Sequence, residues 1–180
     1  PFPFPRILAI FGPMRNLIPP FIYEQYQRQA TLGAFPAGSL FVDLSGFTAI
    51  TEALMQHGSA GAEQLADTLQ AVFNPLVQAV YAQQGFITHF AGDAFVALFP
   101  QAEAEATAAD VCRADAVRRA VAAAVRGQQA LLARPDFATP FGTFRFAVRL
   151  GVGYGDVTWQ IVAAPAGDRH SYHFAGPAIA

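Results

Sequence analysis

SLFVDLSGFTAITEALMQ, residues 39–56, changes period in its middle. From Ser39 to Leu44 the run is short, apolar and rich in strand formers, with Pro36 and Gly38 upstream, which predicts a buried strand. From Phe47 onward Ile50 and Leu54 follow at helical spacing to about Gln56, with Ser45 and Thr48 as candidate caps. The joint between the two carries the strand's one charge, Asp43.

Working outward, HGSAG (57–61) reads as a break. Leu65, Leu69, Val72, Phe73, Leu76 and Val80 then form the apolar stripe of a long helix that Gly85 ends. FITHF (86–90) and AFVALF (94–99) flank AGD, a connection of hairpin length that holds Asp93 at its tip. An Ala/Arg-rich stretch from about Glu103 to Leu132 is expected to be helical, its arginines solvated, and to close before Pro135. RFAVRLGVGYG and DVTWQIVAA are expected to form a second hairpin turning at Gly155–Asp156, and SYHFAG a further strand. Strand, helices, hairpin, helix, hairpin is an α+β order, suited to an antiparallel-rich sheet covered by helices on one face.

At 180 residues the chain has the size of a single domain. Its 53% apolar content excludes disorder. A net charge of −2 argues against nucleic acid or an anionic membrane as partner. All 11 basic residues are arginine, so a mechanism needing lysine must borrow one from another chain. Residues 1–36 read as an N-terminal extension that packs on the domain or a partner. Six prolines within its first twenty residues interrupt the apolar run well short of the roughly 18 residues a membrane span needs, so no transmembrane segment is expected. The single Cys112 suits a reducing, cytoplasmic setting.

Asp43 ends one strand and Asp93 caps a hairpin, so two adjacent central strands would bring both carboxylates to one edge. Two ionised acids side by side need a proton or a cation. Mg²⁺ takes one or two carboxylates and fills its shell with water and phosphate oxygens. Free backbone N–H groups from Ser45 to Thr48, at the start of a helix, suit those phosphates. Singly, an Asp after a strand is a cap and an Asp beside glycine a turn former. An acid buried in an apolar strand has a cost that capping does not require.

FVDLSGFTAITEAL, followed about forty residues later by ITHFAGDAFVALF, resembles the class III nucleotidyl cyclases. Their signature is a strand ending F-x-D-[IL]-x-G-F-[ST] and a hairpin carrying G-D. The F-A-G-D-A form, with LGVGYGDV and GDRHSYHFAG downstream, is most similar to soluble bicarbonate-responsive adenylyl cyclases and to N-terminal cyclase domains of large bacterial cyclases. The resemblance implies a ferredoxin-like, palm-type α+β domain over residues 37–180, its C-terminal part incomplete. It also implies conversion of ATP to cyclic AMP and pyrophosphate with two Mg²⁺ or Mn²⁺ ions. Asp43 and Asp93 match the metal-binding aspartates, Leu44 the residue whose carbonyl also contacts a metal, and Gly46, Phe47 and Thr48 the turn that holds the β- and γ-phosphates.

The purine half departs from the pattern. His89 stands where family adenylyl cyclases place a lysine, His173 where the purine-selecting aspartate is expected, and Ala180 where the ribose-orienting asparagine is expected. Family sites form between two domains, so the resemblance implies a metal-donating half that works with a second cyclase domain, as a homodimer or pseudo-heterodimer. The alternative is a catalytically silent cyclase-like module that binds nucleotide or a small anion such as bicarbonate, with His89 lining the altered pocket. A diguanylate-type reading of AGDAF fails on the missing second acid in the turn.

Overall fold

The computed structural model describes residues 18–103, 108–163 and 170–179. In chain order the elements are α1 (Pro20–Gln27), β1 (Leu32–Ser45), α2 (Phe47–Met55), α3 (Gly58–Ala82), β2 (Phe86–Ala91), β3 (Ala94–Pro100), α4 (Ala109–Ala133), β4 (Asp136–Thr139), β5 (Gly142–Arg145), β6 (Ala147–Ala163) and β7 (His170–Ala175). Five strands form one antiparallel sheet in the order β2-β3-β1-β6-β7, and β4 pairs with β5 apart from it. This is the expected α+β, antiparallel-sheet architecture.

Strand β1 sits in the middle, and its alternation separates two cores. Leu40, Val42 and Leu44 point to one face, where α2, α3 and α4 bury them with Phe95, Ala97 and Phe99 of β3. Residues 35, 37, 39, 41 and 43 point to the other face. There, Ala37 and Phe35 join Phe86, Leu98, Trp159 and Phe174 in a second cluster. Helix α1 covers that cluster, with the Phe21 ring 5.4 Å from Phe86 and 5.5 Å from Trp159. Helices therefore cover both faces, in contrast to the one-sided expectation. Sheet-edge residues meet inside this second core: the Phe86 and Phe174 rings are 5.7 Å apart, and the Tyr172 hydroxyl donates to the Thr88 carbonyl at 3.1 Å. The sheet is thus curled, its concave face filled at one end and open at the other.

Three further expectations are corrected. No turn occurs at Gly155–Asp156: β6 runs unbroken against β1 from Ala147 opposite Ser45 to Gln160 opposite Leu32. Gly155 is small for close packing, since a Cβ there would lie 3.2 Å from Pro177 and from the Ala178 nitrogen. HGSAG is not a long break, because α3 starts at Gly58. Gly61 lets it pass α2, as a Cβ there would fall 1.7 Å from the Leu54 carbonyl oxygen. Strand β1 begins at Leu32 and passes through Pro36, whose carbonyl accepts from the Gln101 N–H where β3 has already ended. The reciprocal bond from residue 36 is lost with the proline's missing N–H, and the β1–β3 ladder ends at this rung. The β4–β5 hairpin, not expected from the sequence, packs Phe137 and Phe144 on the helix-face core.

Candidate functional site

Strand β1 reaches the open end of the concave face at Asp43, which lies opposite Ala94 on one side and Arg149 on the other. The next step of the β1–β3 ladder is the Leu44 N–H donating to the Asp93 carbonyl at 3.0 Å. Asp43 and Asp93 thus occupy successive rungs at one edge, fifty residues apart in sequence, with Asp93 in the tight β2–β3 turn at Gly92 (φ +65°). The N–H and C=O of one strand residue point the same way, so the Leu44 carbonyl is also directed toward the Asp93 turn.

Asp43 is less buried than expected. Its side chain is 26% exposed, because it lies with Phe41 at the uncovered end of the concave face, beyond the buried Ala37 and Ser39. Arg149 Nη1 approaches Asp43 Oδ2 at 3.3 Å, and with 79% of the arginine side chain exposed this pair contributes little. Arg149 was not singled out by the sequence reading. Its only signal there is a cation entering the apolar alternation of RLGVG.

Beyond Asp43 the chain turns on Gly46, at φ +104°, into α2. Ser45 and Thr48 were expected to cap this helix, but no side chain does so. Gly46 is the N-cap, and the backbone turns so tightly that a Cβ would lie 2.8 Å from the Arg145 carbonyl oxygen. The first-turn N–H groups of α2, at Phe47 and Thr48, therefore lack a capping oxygen, next to Asp43.

His89 is exposed and faces the same side as Val96, Phe41 and Asp43, since it pairs with Val96 after the bulge at Thr88. Thr88 is 1% exposed, and its hydroxyl donates to the Val96 carbonyl at 3.0 Å. That donation uses the hydroxyl's one proton, so at its 3.0 Å contact with His89 Nδ1 the oxygen accepts. The imidazole then carries its proton on Nδ1 and, when neutral, presents an acceptor lone pair at Nε2. The concave face also holds a depression of about 410 Å³, floored by Ser39, Phe41, Gly151 and Gly153, bordered by Val96 and Pro177, and not lined by His89.

His173 is not brought to this place. Its neighbour Phe174 points into the concave core, so alternation sends His173 to the opposite face of edge strand β7, beside Gln160 and Leu32. Ala180 lies outside the described residues.

Among the described residues no group of three or more His, Cys, Asp or Glu side chains is gathered in metal-ligating fashion. What the register shows is that the backbones of Asp43 and Asp93 lie on successive rungs of one edge, and carboxylates and a carbonyl are the oxygen donors a hard cation prefers, its remaining ligands being water and phosphate. The weak Arg149 contact leaves most carboxylate lone pairs of Asp43 available.

No protein-family model matches the chain. Adenylate cyclase type 10 from rabbit (Oryctolagus cuniculus) is 44% identical over 96 residues, which are 52% of this chain and 6% of the rabbit protein. The matched stretch is thus a small part of that relative. The crystal structure of the adenylyl cyclase CyaB from P. aeruginosa superposes with a TM-score of 0.57 at 20% identity, covering 82% of this chain and 69% of that one. That of the guanylyl cyclase Cya2 gives 0.57 at 23% identity, over 83% and 68%. At these identities the structural likeness establishes the fold.

Proposed function

From the premise that this chain is a class III nucleotidyl cyclase domain, we propose that it converts Mg-ATP to cyclic AMP and pyrophosphate as the metal-donating half of a dimeric site. The observation that carries this reading is the β1–β3 register, which sets Asp43 and Asp93 on successive rungs of one edge. The two carboxylates and the Leu44 carbonyl would hold the cations. The Phe47 and Thr48 amides, at the positive end of α2, receive the β- and γ-phosphates, with Ser45 and Gly46 shaping the turn. Divalent ions bound there would supply activation of the ribose 3′-hydroxyl and charge neutralisation at the α-phosphate. The chain's own contribution is to fix the triphosphate beside the two acids and to leave the other side of the cleft for a second domain.

A second reading, a silent module binding nucleotide or a small anion such as bicarbonate, draws support from His89. A lysine there can only donate, whereas this imidazole, when neutral, accepts through Nε2. With His173 on the far face, one chain by itself offers little that could select a purine.

Two measurements separate the readings. ATP turnover with Mg²⁺ or Mn²⁺ is assayed for the chain alone and with added cyclase domains; full activity of the chain alone would reject the half-site assignment. Metal-dependent binding of an ATP analogue is compared with the Asp43→Ala, Asp93→Ala double variant; equal binding would reject the metal assignment.

A further inference from the structure

Helix α4 carries two stripes of small and apolar residues. One is buried: Ala120, Ala123, Ala124 and Leu131 lie in the helix-face core. The other is turned away from that core and exposed. Ala114, Arg118, Val121, Val125, Gln128 and Leu132 follow one another at alternating steps of four and three residues, all on the surface. Leu132 is 70% exposed, and so is Val111 one step before Ala114. A surface helix that faces only water carries polar side chains on its outer side. Alternation of four and three is instead the spacing with which one helix packs along another.

We propose that this stripe packs against the same stripe of a second copy of the chain, with the two α4 helices antiparallel about a two-fold axis. The stripe is its own complement in one register, in which Ala114 of one copy meets Leu132 of the other, Arg118 meets Gln128 and Val121 meets Val125; the two-fold axis repeats each layer. Leucine thus falls on alanine, beside a hollow of about 510 Å³ that Ala114 lines with Arg113 and Val117. The Arg118 guanidinium, bonded at 2.6 Å to Asp115 of its own helix, has further N–H groups to donate to the Gln128 side-chain carbonyl. Valine packs on valine. Parallel copies would instead set Arg118 against Arg118, so charge selects the antiparallel arrangement, and the opposed helix dipoles favour it as well. From Ala114 to Leu132 the contact runs for about 27 Å, at about 1.5 Å per residue. It lies on the helix side of the sheet, whereas Asp43 faces the concave side. The pairing therefore joins chains back to back, leaves the candidate site clear, and stands independently of the cyclase reading.

The test uses the full chain with its one native cysteine replaced, Cys112→Ser. A ¹⁵N-labelled copy carries Val121→Cys and an unlabelled copy Val125→Cys; equal amounts are mixed in a glutathione redox buffer, and the disulfide-linked pairs are counted by mass spectrometry. Random encounter gives mixed and like pairs in equal amounts. A bridge needs Cα atoms within about 7 Å, which the proposed register offers to the mixed pair and not to the like ones, so mixed pairs are expected in excess by about five-fold. Adding Leu132→Glu to both copies, a change at an exposed position outside the core, should abolish the excess. Equal amounts of mixed and like pairs, an excess of like pairs, no disulfide at all, or an excess that survives Leu132→Glu would each overturn the proposal.

Discussion

At the scale of single residues, the site depends on positions whose role is conformational as much as chemical. Gly46 holds φ +104° with the Arg145 carbonyl where a side chain would begin. Gly46→Ala is expected to cost about 1–2 kcal/mol from the left-handed backbone alone, with the close contact adding to it. A lower urea midpoint at unchanged m-value would report this, and an unchanged midpoint would refute the assigned strain. Thr88 is the other such position. Thr88→Val strands the Val96 carbonyl and the His89 Nδ1–H, an expected loss of about 1–3 kcal/mol. ¹⁵N shifts of the imidazole should report the Nδ1–H tautomer in the parent and a mixture in the variant; the same tautomer in both would sever the link to Thr88. Asp43 and Asp93 were legible in the sequence because an acid in an apolar strand and an acid at a glycine turn are both local anomalies. Arg149 and the Thr88–His89 contact were not, because each exists only through a partner on another strand or through a bulge.

At the scale of elements, charge and turn chemistry divide differently. On α4, Asp115 accepts from Arg118 at 2.6 Å and from Arg119 at 2.9 Å, and these bonds hold its carboxyl below the usual range. A carboxyl depressed in the fold stabilises above its unfolded value, near pH 3.9, and that contribution fades as pH falls through the lower folded value. Asp115→Asn should therefore cost a few tenths of a kcal/mol, at most about 1, at pH 7, since Asp115 and Arg118 are exposed although Arg119 is largely buried, and nothing once the parent's Asp115 is fully protonated. Thermal melts across that range give the difference, and a pH-independent one would exclude the ion pairs as its source. Helices α2 and α3 could be read from apolar stripes, which need only local periodicity, and α4 from an Ala/Arg-rich composition that stops before Pro135. Strand β6 could not be read as one piece, because Gly155–Asp156 has the composition of a turn and only the facing length of β1 keeps it extended.

At the scale of the whole molecule, the second core is what makes the sheet concave and leaves one end open. Phe21 centres it, touching Phe35, Phe86, Trp159 and Phe174. Phe21→Ala should lower stability by about 3 kcal/mol, the low end for phenylalanine because the ring is partly exposed. The emission of Trp159, the one tryptophan in the chain, should shift to the red as α1 loosens. A melt within error of the parent would mean that α1 is an ornament on the sheet rather than part of its core. No helix among the described residues is long and apolar enough to cross a membrane. The amino-acid order alone determined the α+β class, the central strand, the AGD hairpin and the two acids, because each is written in periods of two or 3.6 residues or in the chemistry of a few neighbours. Only the tertiary structure decided that Asp43 faces an open cleft beside Arg149, that His89 and His173 lie on opposite faces, and that α1 closes the far side of the sheet. Those outcomes follow from register and curl, which arise when distant strands pair and which no local stretch of sequence encodes.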